Sequence, residues 1–574
     1  MKNNLVTSGI EETFDQNNNN IILGEWCLRD FNEISKFKTK KIKFHWESSE
    51  KKKRDYDYLE DLYYRILNSL VESLNNYHSV KKNQRYWHII IGPFLLNVLQ
   101  ILWDKWESVN YALDNEKINE TRIIKVKDQD LVPLDFKEFF LEKNNHFLNH
   151  IIYSEIINFL QPKCLKIINI KYKKSFAYNN SNFNYKKKFS IKKMIDFILK
   201  IICKNKIVFY KNNIVKENLI KLNINLYQIP RFYYELDQNI KIEKNLQRNN
   251  FEIKFVEKND FEKFLRKKLI KLIPISYLEG YEYILKKTNK IKLNPKIICT
   301  AMGHTVDDFF KVWSAEKVEK GTKYIVTDHG GYIDDKQNFS SWSNFSDTYL
   351  RWNYKDEKNI LQISPGILFK KYKPISLKNR KLLLIAGTAN LYPNKIQSAP
   401  ISQEILEDVK NWKKLYENLQ IDMKKVFKIR THPSDPWKIK EDLIKKYGKK
   451  IISTEKKFEK DVVSSKFIIN TNFSTSFFET MHSGVPNIIL AKQSYFYLSD
   501  KKKDFLKELL ENNVLFEDPI KAHIHLKNIW MDPLEWWNSE KIIEIKKRFH
   551  DLCFIKNDDY LNTWKNYFIS ELKK

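Results

Sequence analysis

From Lys290 onward, short apolar runs alternate with helical or loop sequence, and this pattern leaves few folds open. The runs 297–300 (IICT), 323–327 (KYIVT), 381–387 (KLLLIAG), 425–430 (KVFKIR), 450–453 (KIIS), 466–470 (KFIIN) and 487–490 (NIIL) read as strands, and 307–320 as a helix. Strands that alternate with helices predict a parallel, doubly wound α/β sheet. Ligands of such sheets sit beyond the carboxyl ends of the strands. The search for chemistry therefore starts at those ends.

The first half is more helical. Positions 54–77 space Leu59, Leu62, Ile66, Leu67, Leu70 and Leu74 as one helix face. A second helix is expected over about 86–111, with Pro93 near its first turns or kinking it. The run 20–26 (NIILGEW) reads as a short buried strand. The most apolar stretch, 86–103, is barely bilayer length and carries His88, Asn97, Gln100 and a Gly92-Pro93 break. It reads as a buried helix rather than a membrane span. The segment 165–245 turns rich in Lys and Asn and is expected to be an exposed insertion. A basic amphipathic helix follows over 260–283, interrupted near Pro274. It reads as an ordinary packed helix, the alternative being a face for anionic lipid or a lipid-linked acceptor.

A chain of 574 residues calls for two or three domains. The expected division is an acceptor-side domain over 1–360, a nucleotide-donor domain over 361–545, and a tail over 546–574 that packs back across the junction. The net charge of +30 would suit nucleic acid or a membrane surface. The excess is Lys far more than Arg, beside abundant Asn and Ile, a mixture that biased codon usage also produces. No nucleic-acid module is recognisable, so no nucleic-acid partner is expected. Peripheral contact with an anionic membrane stays open. Cys27, Cys164, Cys203, Cys299 and Cys553 are scattered and odd in number, which supports neither a disulfide framework nor a zinc site. The first residues lack the apolar core of a secretory signal, and a cytoplasmic protein is expected.

Glycine is scarce, with only 12 in the chain, yet two stand together in Asp328-His329-Gly330-Gly331 after KYIVT. A His at a strand end beside two small residues suits a proton acceptor next to a ligand. The bland alternative is a tight turn. KVFKIR ends in Arg430, and His432 and Pro433 follow, where Arg and His can reach a phosphate. In 470–486 (NTNFSTSFFETMHSGVP) the hydroxyls of Ser474 and Thr475 fall at a helix start, where free amides favour an anion. Glu479 lies a turn further in, placed to accept from ribose hydroxyls. Gly387-Thr388 forms another turn able to approach phosphate. The nearest acidic pair, Asp334-Asp335, is no convincing metal-binding triplet, so neither metal nor cofactor is expected.

In order, these HG, HP and Ser/Thr-Glu motifs resemble the CDP-glycerol glycerophosphotransferases and the bacterial polysialyltransferases. Over nearly the whole chain, LVTSGIEETF, LGEWC, RDYDYLEDLY, RYWHIIIGPFLL, KVWSAEKVEKG, HGGY and THP resemble an uncharacterised transferase family of bacterial O-antigen and surface-carbohydrate gene clusters. The resemblance implies a GT-B fold, two Rossmann-like domains facing a cleft, here with a helical N-terminal elaboration. It implies a metal-independent glycosyltransferase that moves a sugar or sugar-like group from a nucleotide-activated donor to a glycan or lipid-linked acceptor. It carries the HGG onto His329, Gly330 and Gly331, the HP onto His432 and Pro433, and the serine loop onto Ser474 and Thr475. Such families tend to have Gln where Asp328 stands, and that carboxylate could orient or charge the imidazole. The rival readings are a non-catalytic carbohydrate- or nucleotide-binding scaffold and a nucleotide-sugar epimerase.

Overall fold

The computed structural model describes residues 2–31, 37–125, 132–171, 205–230, 248, 250–333, 338–353, 359–363, 381–496, 500–553 and 559–574. Among these, the strands form three five-stranded sheets, and every pairing is parallel.

The first sheet holds β1 (Asn3–Val6), β2 (Asn19–Ile22), β3 (Thr39–Lys41), β4 (Glu120–Ile124) and β5 (Lys166–Ile170), in the order β3-β2-β1-β4-β5. Between β3 and β4 run α1 (Ser49–His78) and α2 (Gln84–Asn115). Ser48 caps α1 by accepting from the Lys51 amide, and Asn83 caps α2 by accepting from that of Tyr86. Pro93 sits in the third turn of α2. The helix is long and apolar enough to cross a membrane, but protein covers 94% of its most apolar window. It packs against α4 (His146–Leu160) of the first unit, which follows the short α3 (Phe136–Leu141).

The second sheet holds β6 (Ile207–Tyr210), β7 (Ile297–Thr300), β8 (Lys323–Thr327), β9 (Thr348–Arg351) and β10 (Ile360–Gln362), ordered β10-β9-β8-β7-β6. Its helices include α5 (Lys216–Asn225), α6 (Asp260–Leu272), α7 (Gly303–Val306) and α8 (Asp308–Glu319). Both α7 and α8 pack on α2, which thus couples the first two sheets.

The third sheet holds β11 (Lys381–Ile385), β12 (Phe427–Arg430), β13 (Ser465–Asn470), β14 (Asn487–Leu490) and β15 (Leu515–Phe516), ordered β12-β11-β13-β14-β15. Leu382, Leu383 and Leu384 are all fully buried, as expected of a parallel strand covered on both faces. The chain steps to opposite sides of β11 when it forms β12 and β13. The loops after β11 and β13 therefore bound a crevice at a topological switch point. α9 (Thr475–Ser483) starts at that crevice.

Several expectations need correction. The first 170 residues carry a whole parallel sheet, of which only β2 falls in an expected strand, besides the expected helices. The 165–245 segment supplies β5 and β6, edge strands of two different sheets, and α5. Lys and Asn are tolerated in β5 because it is half exposed along its length. Positions 172–204 and 231–245 of that segment, with Cys203, lie outside the described residues, as do Asp334 and Asp335. Positions 450–453 form no strand but a turn of 3-10 helix, with a lone bridge from Ile452 to Ile429. The 260–283 helix breaks at Pro274, and Phe261, Phe264, Leu265 and Leu269 bury its apolar face in protein. In the tail, α10 (Glu540–Cys553) sets Phe549 against Phe477 and Phe478 of α9, and α11 (Tyr560–Lys573) crosses back onto the second sheet.

Candidate functional site

His329 leaves β8 at its carboxyl end, and the two glycines that follow run directly onto the start of α9. The Gly331 amide donates to Thr475 Oγ1 at 3.1 Å, and Tyr332 bridges to Ser474 in antiparallel fashion. A Cβ on Gly330 would collide with Thr475 Oγ1, and one on Gly331 would stand 2.6 Å from the Phe478 ring. Glycine is therefore required here so that a helix of the third unit can approach a strand end of the second. The sequence-based reading set these small residues beside a ligand, and close packing against α9 is the reason the geometry supplies.

The His329 side chain is exposed. Desolvation there lowers its pKa, the Asp328 charge opposes this, and the nearby Lys395 charge adds to the lowering. The imidazole is thus mainly neutral near pH 7. Asp328 does not bond to it. Its carboxylate accepts from the hydroxyls of Tyr332 and Tyr349 and from the Trp352 amide at 3.0 Å, which fastens the ends of β8 and β9 together. The Asn213 side chain donates to the His329 carbonyl and fixes the backbone from the end of β6.

At α9, Ser474 is the N-cap residue, yet its hydroxyl makes no capping bond and lies 3.0 Å from that of Ser476. The first amides of the helix therefore have no side-chain cap, and the helix dipole adds partial positive charge at the same place. Glu479 is half-buried on the second turn. Next to this helix start, the Gly387 amide donates to Thr471 Oγ1 at 2.7 Å, which joins the ends of β11 and β13. Gly387, Thr388, Thr431, His432 and Ser434 line one small pocket at the ends of β11 and β12. Thr388 Oγ1 donates to the Ser434 carbonyl at 2.8 Å. His432 Nδ1 lies 3.1 Å from both the amide and the carbonyl of Ser434, which turns the ring back onto its own loop.

Arg430 is not part of this pocket. Its guanidinium pairs with the buried Asp461, which also takes Lys381, and donates to the Glu455 carbonyl at 2.8 Å. The structure thus brings together the HGG turn and the serine loop, and Gly387, Thr388 and His432 beside them, but turns Arg430 away.

Three residues that the sequence reading passed over also face the junction. His304 follows β7 in the run TAMGH, a strand end leading into Gly-His, much as β8 leads into its own His-Gly. That parallel was a usable signal. Lys143 and Lys395 carried none, since nothing marks them among 101 basic residues.

Among the described residues, one group of His and acidic side chains, His45, Asp55 and Glu107, has ligand atoms close enough for a metal. The Lys51 ammonium already sits there, 2.9 Å from Asp55 and 2.7 Å from Glu107. A large recess elsewhere is lined by Glu72, His78, Glu252, Glu279 and Glu282 and includes none of the strand-end residues.

Solved structures with some likeness include Staphylococcus aureus MnaA with UDP, at 10% identity over 64% of this chain and 98% of that one, with a TM-score of 0.36. MurG of Acinetobacter baumannii matches at 9% identity over 64% and 99%, with a TM-score of 0.32. The glycosyltransferase of kitacinnamycin matches at 8% over 54% and 89%, with a TM-score of 0.29. Scores this low bear on neither substrate nor mechanism. No curated protein matches the chain. The sequence profile of one family spans residues 3–568, and by that match the chain belongs to the LIC12162 family transferases.

Proposed function

We propose that this transferase is a metal-independent glycosyltransferase of the GT-B type. It would act in the cytoplasm, moving a sugar or sugar-like group from a nucleotide-activated donor to a surface-polysaccharide acceptor. The observation that carries this reading is the seating of the HGG turn of β8 on the uncapped N-terminus of α9, at the switch point of the third sheet.

In this reading the donor phosphates lie on the first amides of α9 and the Ser474 hydroxyl, with Gly387, Thr388 and His432 along their flank. Glu479 takes the ribose. His329 receives the proton of the acceptor hydroxyl as its oxygen bonds to the transferred carbon. The bond from that carbon to the phosphate oxygen breaks, and its electron pair leaves with the nucleotide. Helix amides stabilise the charge that develops on the leaving phosphate, so turnover is expected to persist in EDTA. Arg430 is assigned a structural role through Asp461.

A nucleotide panel tested by calorimetry on the full chain checks the donor assignment. Ser474→Ala should weaken the best-bound nucleotide by about 1–3 kcal/mol, the worth of a charge-assisted hydrogen bond. Unchanged affinity for every nucleotide the wild type binds would move the donor elsewhere.

A further inference from the structure

Residues from all three units approach one another at one junction, since the Lys395 charge acts on both Lys143 and His304. Lys395 lies on the loop after β11, and its neighbours there are pinned to the first unit. The Leu391 amide donates to Asn144 Oδ1 at 2.8 Å, and the Tyr392 hydroxyl lies 2.7 Å from His146 Nδ1. The Ile396 amide donates to Gln100 Oε1 of α2 at 2.9 Å. Lys143 immediately precedes Asn144, its ammonium 3.7 Å from the centre of the Phe140 ring. α7, which carries His304, packs on α2 and on α3, the helix that leads towards Lys143. Because β7 and β8 are adjacent and parallel, His304 and His329 leave neighbouring strand ends.

His304 supplies an independent sign of a missing partner. The residue is 1% exposed, its ring lies edge-on to Trp342 at 4.6 Å, and neither ring nitrogen has a hydrogen bond. Burial, with the charges of His329, Lys311 and Lys395 nearby, holds its pKa down at about 3, so the ring is neutral with one donor and one acceptor. Buried polar groups are seldom left unpaired in native proteins, and a bound water or ligand is one way such a group is satisfied. Burial and the Lys395 charge also lower the Lys143 pKa to about 8, and among the described residues Lys143 has no carboxylate partner.

We propose that this three-way junction is a phosphate subsite. Lys143 and Lys395 supply the charge, and His304 donates a hydrogen bond to a phosphate oxygen. The subsite deepens the transferase reading and rests on it for the origin of the phosphate. That group is either the outer phosphate of the donor or a phosphate carried by the acceptor.

The test is calorimetry on the full chain with inorganic pyrophosphate in EDTA, with melting curves to confirm that each variant is folded. Lys395→Gln and Lys143→Gln should each weaken pyrophosphate at least tenfold, whereas Lys286→Gln, on an exposed face, should not. Pyrophosphate binding that survives saturation with the best-bound nucleotide assigns the subsite to the acceptor, and loss of binding assigns it to the donor. As a check independent of affinity, Lys395→Gln should raise the His329 pKa, read by NMR, since a nearby positive charge is removed. The proposal is overturned if both lysine variants bind pyrophosphate as the wild type does, or if Lys286→Gln weakens it equally. The donor assignment fails separately. If Ser474→Ala leaves nucleotides unaffected while Lys395→Gln loses pyrophosphate, the subsite stands and the donor site moves.

Discussion

At His329, opposing influences meet on one imidazole. Desolvation and the Lys395 charge favour the neutral ring, the Asp328 charge favours the protonated one, and the balance lowers the pKa from 6.5. A general base works in its neutral form, so a lowered pKa extends activity to more acid pH. The acid limb of kcat/KM should therefore fall below pH 6.5, and a limb at or above that value would remove His329 from the base role. His329→Ala should lower kcat by about 10²–10⁴-fold with donor affinity nearly intact, and His329→Asn should restore little, because an amide cannot take the proton. Full kcat with weakened donor binding would instead assign the residue to the phosphates. The adjacent glycines are testable without any substrate. A methyl on Gly331 must displace the Phe478 ring, which is fully buried. Gly331→Ala should cost about 1–3 kcal/mol of stability, read as a lower denaturation midpoint. These residues were legible because scarce glycines beside a His at a strand end are a local signal. The bonds of Asp328 to Tyr332, Tyr349 and the Trp352 amide were not legible, since they join positions up to 24 apart across two strands.

Among the elements, α9 does two things with its first turn, and substitution can separate them. Ser474 faces the uncapped amides, so Ser474→Ala should weaken nucleotide binding and leave the melting temperature nearly unchanged. Thr475 accepts from the buried Gly331 amide, so Thr475→Ala should also destabilise by about 1–3 kcal/mol, the cost of orphaning a buried donor. Equal effects of the two substitutions on melting would contradict this division. The strand that leads into α9 was readable because β8, β11, β13 and β14 are buried on both faces and so appear as unbroken apolar runs. Apart from β2, the first sheet concealed itself by the opposite route. Asn4 donates to Asn20 Oδ1 at 2.9 Å inside it, and β3 is three exposed polar residues. Polar side chains that satisfy one another within a sheet erase the apolar signal without weakening the pairing. β5 is half exposed at the edge of its sheet and so tolerates Lys and Asn, whereas β6 is a buried apolar run set among Lys- and Asn-rich sequence.

Taken whole, the described residues form three parallel sheets, with α2 packed between the first and second and the carboxy-terminal helices reaching from the third to the second. α11 lays Tyr560, Trp564 and Phe568 over Phe209, Cys299, Ile325 and Leu350 of the second sheet. Phe568 is fully buried and meets Phe209 edge-on at 5.1 Å, and Lys323 at the start of β8 pairs with Glu571 at 3.0 Å. Because β8 leads into His329, this strap covers one face of the strand that positions the candidate base. Phe568→Ala should therefore cost about 3–5 kcal/mol, the usual penalty for emptying a buried aromatic site. The loss should be local to the second sheet, and Cys299 provides the probe. Its thiol is fully buried, and burial alone pushes its pKa up, so in the wild type it should resist alkylation. In Phe568→Ala, or in a chain ended before Tyr560, Cys299 should react with a maleimide far faster, while nucleotide binding at α9 in the third unit is retained as long as the chain stays folded. Turnover should fall with the rise in Cys299 reactivity, since the strand that positions His329 has lost its cover. If Cys299 stays protected when the helix is removed, α11 is not what seals this sheet, and its link to His329 is broken.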